Sequence, residues 1–461
     1  MSQGSPTPPP LAWSDKARRT KDSPISFLIA EAMRNPALVN FAAGLVDPWS
    51  LPVEECLRIT QKILSNTEHG RRALQYDTTL GMRELRWQCL KHLAMLEDTT
   101  VEQLAYGADD IVVTNGSQQA LYLIGDILVN PGDIVIAANP SYFVYTGTLQ
   151  SLGAKVMAAP MDQNGMDVDA VEAIMEKLAR SGEIERLKLV YCTSFYQNPT
   201  GLTLSAERRP RLLELVKKYS RQHRILLLED AAYRELRFDG PVERSIKSYD
   251  TSNQFVATSY TFSKPFAPGI KLGYTVMPKD LAHAVIAQKG NHDFGSSSLN
   301  MHIAAEALAD GSYQTHVAEL REVYRRKRDL VLASLKKHFG RSGDGVGNPS
   351  SDEPDIEHPI HWTHTHGGLY VWLTLPPSID TSRTGPLFGA AVDAGVIYVP
   401  GEYAFQPDER GHVPQNHLRL CYGSVHPDQI EPGIASFAAV VRKLLSGGGA
   451  ASSRQSREVV A

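Results

Sequence analysis

The chain has 461 residues, 42% of them hydrophobic and 21% charged, with a formal charge of -4. That is ordinary globular composition, with apolar material for a large core and no basic field to attract nucleic acid. No apolar run could cross a membrane, the N-terminus lacks an apolar signal core, and Cys56, Cys89, Cys192 and Cys421 form no CxxC pair. A reduced, cytoplasmic protein is expected.

In chain order, residues 1–24 are rich in Pro, Ser and charge and read as a disordered arm, extended as far as residue 34. From residue 111 onward, short β-rich runs alternate with helical stretches. IVVT (111–114) predicts a strand, and residues 117–129 place Ala120, Leu121, Ile124 and Leu128 at helical spacing. DIVIAA (133–138) predicts a strand closed by Asn139-Pro140. LKLVYC (187–192) and ILLLED (225–230) are apolar enough to be buried on both faces, as parallel strands are. A basic amphipathic helix is expected between them, over 205–222, and QFVATS (254–259) and GYTVM (273–277) continue the strands. This alternation predicts an α/β fold with a mainly parallel sheet.

After Lys279 the pattern changes. Residues 279–340 read as mostly helical, LYVWL (369–373) and LRLCY (418–422) as strands, and 384–394 and 428–445 as helices. A smaller α+β domain over 331–445 is expected, with the polar stretch 341–368 as a surface loop and a disordered tail from Ser446. His358, His361, His364 and His366 fall in that loop, but their spacing fits no regular metal site and no metal is expected.

Five motifs carry chemistry. In TNGSQQA (114–120) a strand ends on a glycine turn and a helix begins. This is either a plain strand–helix turn or an anion site built from free N–H groups, with Gly116 permitting close approach and Ser117 and Gln118 adding donors. YQNPTG (196–201) is a turn signal placed after an apolar strand, where open α/β sheets bind ligands. In LLLEDAAY (226–233), Asp230 closes a buried strand. It either caps the next segment or sits against a cationic ring nitrogen, and Tyr233 is within reach of the same ring. In SYTFSKPFAPGIKLGY (259–274), Lys264 is either a solvated lysine or, beside Phe262, Phe266 and Pro268, a desolvated amine suited to Schiff-base chemistry. In HLRLCYG (417–423), Arg419 in an apolar strand is either half of a structural ion pair or a receptor for a carboxylate.

The order of these motifs, together with NPSYF (139–143) and GGLYVW (367–372), resembles the fold-type I pyridoxal-phosphate enzymes, class I/II aminotransferases, from about Asn35 to Leu445. Within that family the chain is most similar to the branch of 2-aminoadipate and kynurenine aminotransferases. The resemblance implies a seven-stranded, mainly parallel sheet in a large domain over 71–330. An N-terminal segment over 35–70 would pack on the small domain, into which 341–366 is inserted. It implies pyridoxal 5'-phosphate as cofactor, an amino acid and a 2-oxo acid as substrates, and ping-pong transfer of the amino group. Lys264 would be the Schiff-base lysine and proton shuttle, with Asp230 on the ring nitrogen. Asn198 and Tyr233 would face the phenolic oxygen, and Tyr142 would stack on the ring. Gly116, Ser117, Gln118, Thr261, Ser263 and Lys271 would hold the phosphate. Arg419, helped by Gly44 and Asn198, would take the substrate α-carboxylate. Tyr76 would reach the phosphate site of a partner subunit, which requires a homodimer.

Three departures stand out. Lys271 replaces the family arginine, keeping charge but losing the bidentate fork. FAAGLVDPWSLP (41–52) puts Ala43 and Val46 where relatives have glycine and proline, and the usual Asp-Asp pair reads Asp230-Ala231. The same scaffold also runs eliminations, cyclisations and decarboxylations, so these are the enzymatic alternative. A non-catalytic cofactor-binding regulator is disfavoured, because only ~35 residues precede the match and a winged-helix domain needs more. Tyr122, Tyr145, Phe195 and Phe294 are candidates for an apolar substrate pocket or for plain packing.

Overall fold

A computed structural model describes residues 11–340 and 360–446. In chain order the strands are β1 (Val39–Asn40), β2 (Ile111–Thr114), β3 (Ile134–Asn139), β4 (Lys155–Asp162), β5 (Gly165–Met166), β6 (Leu187–Thr193) and β7 (Leu226–Asp230), then β8 (Val256–Thr261), β9 (Gly273–Val276), β10 (His361–Trp362), β11 (Tyr370–Thr374), β12 (Val396–Ile397), β13 (Val399–Pro400) and β14 (His417–Cys421). The helices are α1 (Asp15–Arg19), α2 (Pro24–Arg34), α3 (Val53–Ser65), α4 (Thr67–Ala73), α5 (Arg83–Leu96), α6 (Gly116–Leu128) and α7 (Phe143–Leu152), then α8 (Val168–Ser181), α9 (Arg208–Tyr219), α10 (Lys279–His292), α11 (Ser298–Asp310), α12 (Ser312–Phe339), α13 (Pro386–Asp393) and α14 (Pro427–Leu445).

The large sheet runs β2-β9-β8-β7-β6-β3-β4-β5. It has eight strands where seven are expected. The extra one is the two-residue β5, folded back on β4 through the turn at Gln163-Asn164. Four of the seven pairings are parallel. β9 runs antiparallel to both neighbours, so β2 and β8 point the same way as the central strands. Their carboxyl ends therefore open on one edge, where such sheets place ligands.

Strand periodicity explains why β3 and its neighbours read as continuous apolar runs. Ile134 and Ile136 pack on one face with residues of α8 and α9, while Val135 and Ala137 pack on the other with residues of α6 and α7. Each fully buried Val, Leu or Ile contributes ~1.5–3 kcal/mol, enough to hold the central strands between two helical layers.

A second sheet, β10-β11-β14-β13, is antiparallel and carries Arg419 in β14. The N-terminal segment reaches it through parallel pairing of β1 with β12 and a bond from the Cys421 N–H to the Phe41 carbonyl. The division expected at 330/331 falls inside the unbroken α12.

Two expectations need correction. The N-terminal arm is not extended throughout. Ser14 caps α1, Lys16 bonds Tyr122 and Asp126, and Arg19 bonds the Ser151 carbonyl, so charges that read as disorder are docking contacts. Nor is 341–368 all loop. His361 and Trp362 form β10 and are buried, their strand pattern hidden by its two-residue length. Residues 341–359 and the tail beyond 446 lie outside the described residues, His358 among them. Among the described residues, no group of three His, Cys, Asp or Glu is placed to hold a metal, and no helix is long and apolar enough to cross a membrane.

Candidate active site

At the carboxyl edge of the large sheet lies a cavity of about 240 Å³. The ends of β2, β6, β7 and β8 and the turn after β3 all feed into it. Eleven of the residues singled out from sequence line it: Gly116, Ser117, Gln118, Tyr142, Asn198, Asp230, Tyr233, Thr261, Ser263, Lys264 and Lys271.

Its floor is set by β7. Alternation along the strand sends Glu229 and Asp230 to opposite faces. Glu229 is held by Ser194, Thr258 and the Ile246 and Lys247 N–H groups, with Arg209 at 3.7 Å, and is structural. Asp230 faces the cavity, accepting from the Tyr191 hydroxyl at 2.9 Å and the Ala232 N–H at 3.2 Å. Burial pushes its carboxyl up from 3.8 to about 6, outweighing the two hydrogen bonds, and the charge of Glu229 acts in the same direction. A cation placed against this carboxyl would offset that burial.

Lys264 follows β8 and donates from Nζ to the Gly44 carbonyl at 2.8 Å. Burial, assisted by the positive charges of Arg419 and Lys271, brings its amine from 10.5 down to about 8. An appreciable fraction of the neutral, nucleophilic form is then present near neutral pH.

The opposite wall is the start of α6. Gly116 adopts φ +73°, a conformation that glycine tolerates, with open space where a Cβ would stand. Among the described residues, the N–H groups of Gly116, Ser117 and Gln118 meet no acceptor. Gly273 presses on this turn so closely that a Cβ there would lie 2.7 Å from the Ser117 nitrogen. The donors, the helix end and Lys271 together form a cradle with the charge and shape for a phosphate.

Arg419 does not line the cavity but stands beside it, 1% exposed. Its fork donates to Asn198 Oδ1 at 2.7 Å and the Ala42 carbonyl at 2.8 Å, while its buried Nε has no partner. Among the described residues no carboxylate pairs with it, which favours the carboxylate-receptor reading over a structural ion pair. Tyr370 covers the guanidinium at 4.4 Å and bonds Tyr233 at 2.7 Å and Asn198 at 3.5 Å.

Tyr76 is not brought in: it is 80% exposed and its ring lies edge-on to Phe294, which is 60% exposed. Of the other pocket candidates, Tyr145 and Phe195 are core residues, and Tyr122 binds Lys16 of α1. Sequence reasoning missed Tyr370, Tyr191, Thr193, Asn115 and Gly273. GGLYVW marked the strand that carries Tyr370 but not its hydroxyl contacts, which cross between sheets. The glycine of KLGY was the available signal for the close approach at the cradle.

A sheet whose strand ends present a lysine, an aspartate and a phosphate cradle, with a buried arginine alongside, defines the fold-type I class of pyridoxal-phosphate enzymes. The chain belongs to the aminotransferase class I and II family, whose profile matches residues 38–437. It is 31% identical to aromatic-amino-acid aminotransferase 1 of Thermococcus litoralis, over 94% of each chain. The solved multiple substrate aminotransferase of Thermococcus profundus matches with a TM-score of 0.82 and 30% identity, covering 94% of this chain and 98% of that one. Pyrococcus horikoshii kynurenine aminotransferase, solved with PMP, matches at 0.81 and 30%, covering 94% and 97%. The chain is thus a pyridoxal-phosphate-dependent aminotransferase, moving an amino group from an amino acid to a 2-oxo acid in ping-pong fashion.

Proposed function

We propose that this transfer is carried out by Lys264, Asp230 and Tyr233 on an amino acid held by Arg419. Pyridoxal phosphate supplies an aldehyde that captures the amine and a cationic ring that takes up the electron pair released at the α-carbon. The substrate carboxylate docks on the Arg419 fork, completed by Asn198 and the Gly44 backbone. Lys264 carries the cofactor between turnovers. Its Nζ, free in its neutral form, would take the α-proton and deliver it to the cofactor carbon on the far side of the amine nitrogen. Asp230 would keep the ring nitrogen protonated. Asn198 and Tyr233 would face the phenolic oxygen, with Tyr370 fixing the direction of the Tyr233 hydroxyl. Tyr142 would stack on the ring. Gly116, Ser117, Gln118, Thr261, Ser263 and Lys271 would hold the phosphate.

The observation that carries this assignment is the pairing, in one cavity, of an amine lowered to about 8 with a carboxyl raised to about 6. Each is costly without a ligand, and one cofactor relieves both. Exposed Tyr76, outside its own cavity, supports a homodimer in which it completes the partner's phosphate site. The four free cysteines support a cytoplasmic setting.

The test is a panel of amino acids with purified holoenzyme, following cofactor absorbance and products. Formation of a 2-oxo acid and the amino form of the cofactor is expected. Release of ammonia or carbon dioxide would instead mark elimination or decarboxylation.

A further inference from the structure

Behind the phosphate cradle lies a polar network that the reaction does not use. Asn115 is the residue before α6, where an asparagine side chain ordinarily caps the helix by accepting from first-turn N–H groups. Here it makes no such bond. Its amide is turned away and donates from Nδ2 to Asp293 Oδ2 at 2.7 Å. The same carboxylate takes Gln119 Nε2 at 2.5 Å, and Gln119 Oε1 in turn accepts the Asn115 backbone N–H at 2.8 Å. Both Asp293 oxygens also meet Lys289 Nζ at 2.8 Å, and the Lys289 side chain is fully buried.

We infer that Asp293 is a positioning residue which draws the Asn115 side chain off the N-terminus of α6 and so keeps the cradle open for the cofactor phosphate, a role that rests on the reading of that cradle given above. An asparagine at this position has two competing uses. Capping would fill the first-turn N–H groups from within the protein, and phosphate would then have to displace it. The charge-assisted bond to Asp293 outweighs a neutral cap. Lys289 supplies the second half of the device. A bare carboxylate behind a phosphate site would repel the anion, and the buried ammonium cancels it at contact distance.

The test compares affinities for pyridoxal 5'-phosphate and for pyridoxal, which lacks the phosphate. The proteins are wild type, Asp293→Ala and the double variant Asn115→Ala/Asp293→Ala. Asp293→Ala is expected to weaken pyridoxal-phosphate binding about fivefold to tenfold, the range an asparagine cap commands, with pyridoxal affinity unchanged. The double variant, with no amide left to cap the helix, is expected to recover most of that loss. A purely structural role for Asp293 would lower both affinities together, and the double variant would be no better than the single. Either result overturns the inference, as does an Asp293→Ala protein with wild-type affinity for both. If Asp293→Ala does not fold, Asp293→Asn carries the same comparison, because it removes the charge that attracts the amide. A wild-type protein that binds both compounds equally would instead overturn the reading of the cradle itself.

Discussion

Asp230→Asn separates stability from function with opposite signs. In the protein without cofactor, the Asp230 carboxyl is raised from 3.8 to about 6 by burial. At ~1.4 kcal/mol per tenfold change, that displacement corresponds to a ceiling of ~3 kcal/mol carried by the ionised form at neutral pH. A carboxyl with a raised folded-state value destabilises the fold progressively as pH rises from about 4 to about 6, and by a constant amount above that. Asparagine is nearly isosteric and never ionises. Its amide oxygen can keep the Ala232 N–H, and its nitrogen can donate to the Tyr191 hydroxyl, which turns to accept. The variant without cofactor is therefore expected to be ~1–3 kcal/mol more stable than wild type at pH 7.5, with the gap closing toward pH 4. The holoenzyme should move the other way. With no anion on the ring nitrogen, kcat should fall roughly 100-fold or more, on the scale of losing one preorganised electrostatic contact. Urea unfolding of the cofactor-free proteins at several pH values, followed by tryptophan fluorescence, measures the first effect, and steady-state transamination the second. A cofactor-free variant less stable than wild type at pH 7.5, or a gap independent of pH, would refute the assignment of Asp230.

Two further substitutions follow from the same geometry. Arg419→Lys keeps a cation in β14 but not the fork that now spans Asn198 and the Ala42 carbonyl. The KM for amino acids should rise roughly 10- to 100-fold, with cofactor absorbance unchanged, as measured by initial rates against substrate concentration. Lys271→Arg restores the family's bidentate geometry, so the cofactor dissociation constant should fall several-fold in an absorbance titration. Weaker binding by that variant would contradict a phosphate role for Lys271.

Much of this site was legible in the sequence because the sheet maps chain order onto space. Each apolar strand announced itself, and the candidate residues stand at its carboxyl end or in the turn that follows: Gly116 after β2, Asn198 after β6, Asp230 closing β7 and Lys264 after β8. What the sequence hid are contacts between elements far apart in the chain. Tyr370 reaches Tyr233 across 137 positions, and Asp293 reaches Asn115 across 178, both through polar side chains with no periodic signal. The lysine motif was ambiguous for a different reason. A solvated and a buried lysine share one sequence, and only packing around Nζ brings the amine down to about 8. The docking of α1 was hidden because Lys16 and Arg19, which hold it, have the composition of a disordered arm.

Borohydride reduction of the holoenzyme, followed by peptide mass analysis, tests the central assignment most directly. A reduced pyridoxyl group on Lys264, and no modified peptide from Lys264→Ala, is the predicted result. The same adduct on Lys271, Lys289 or any other lysine of the wild-type protein would contradict it.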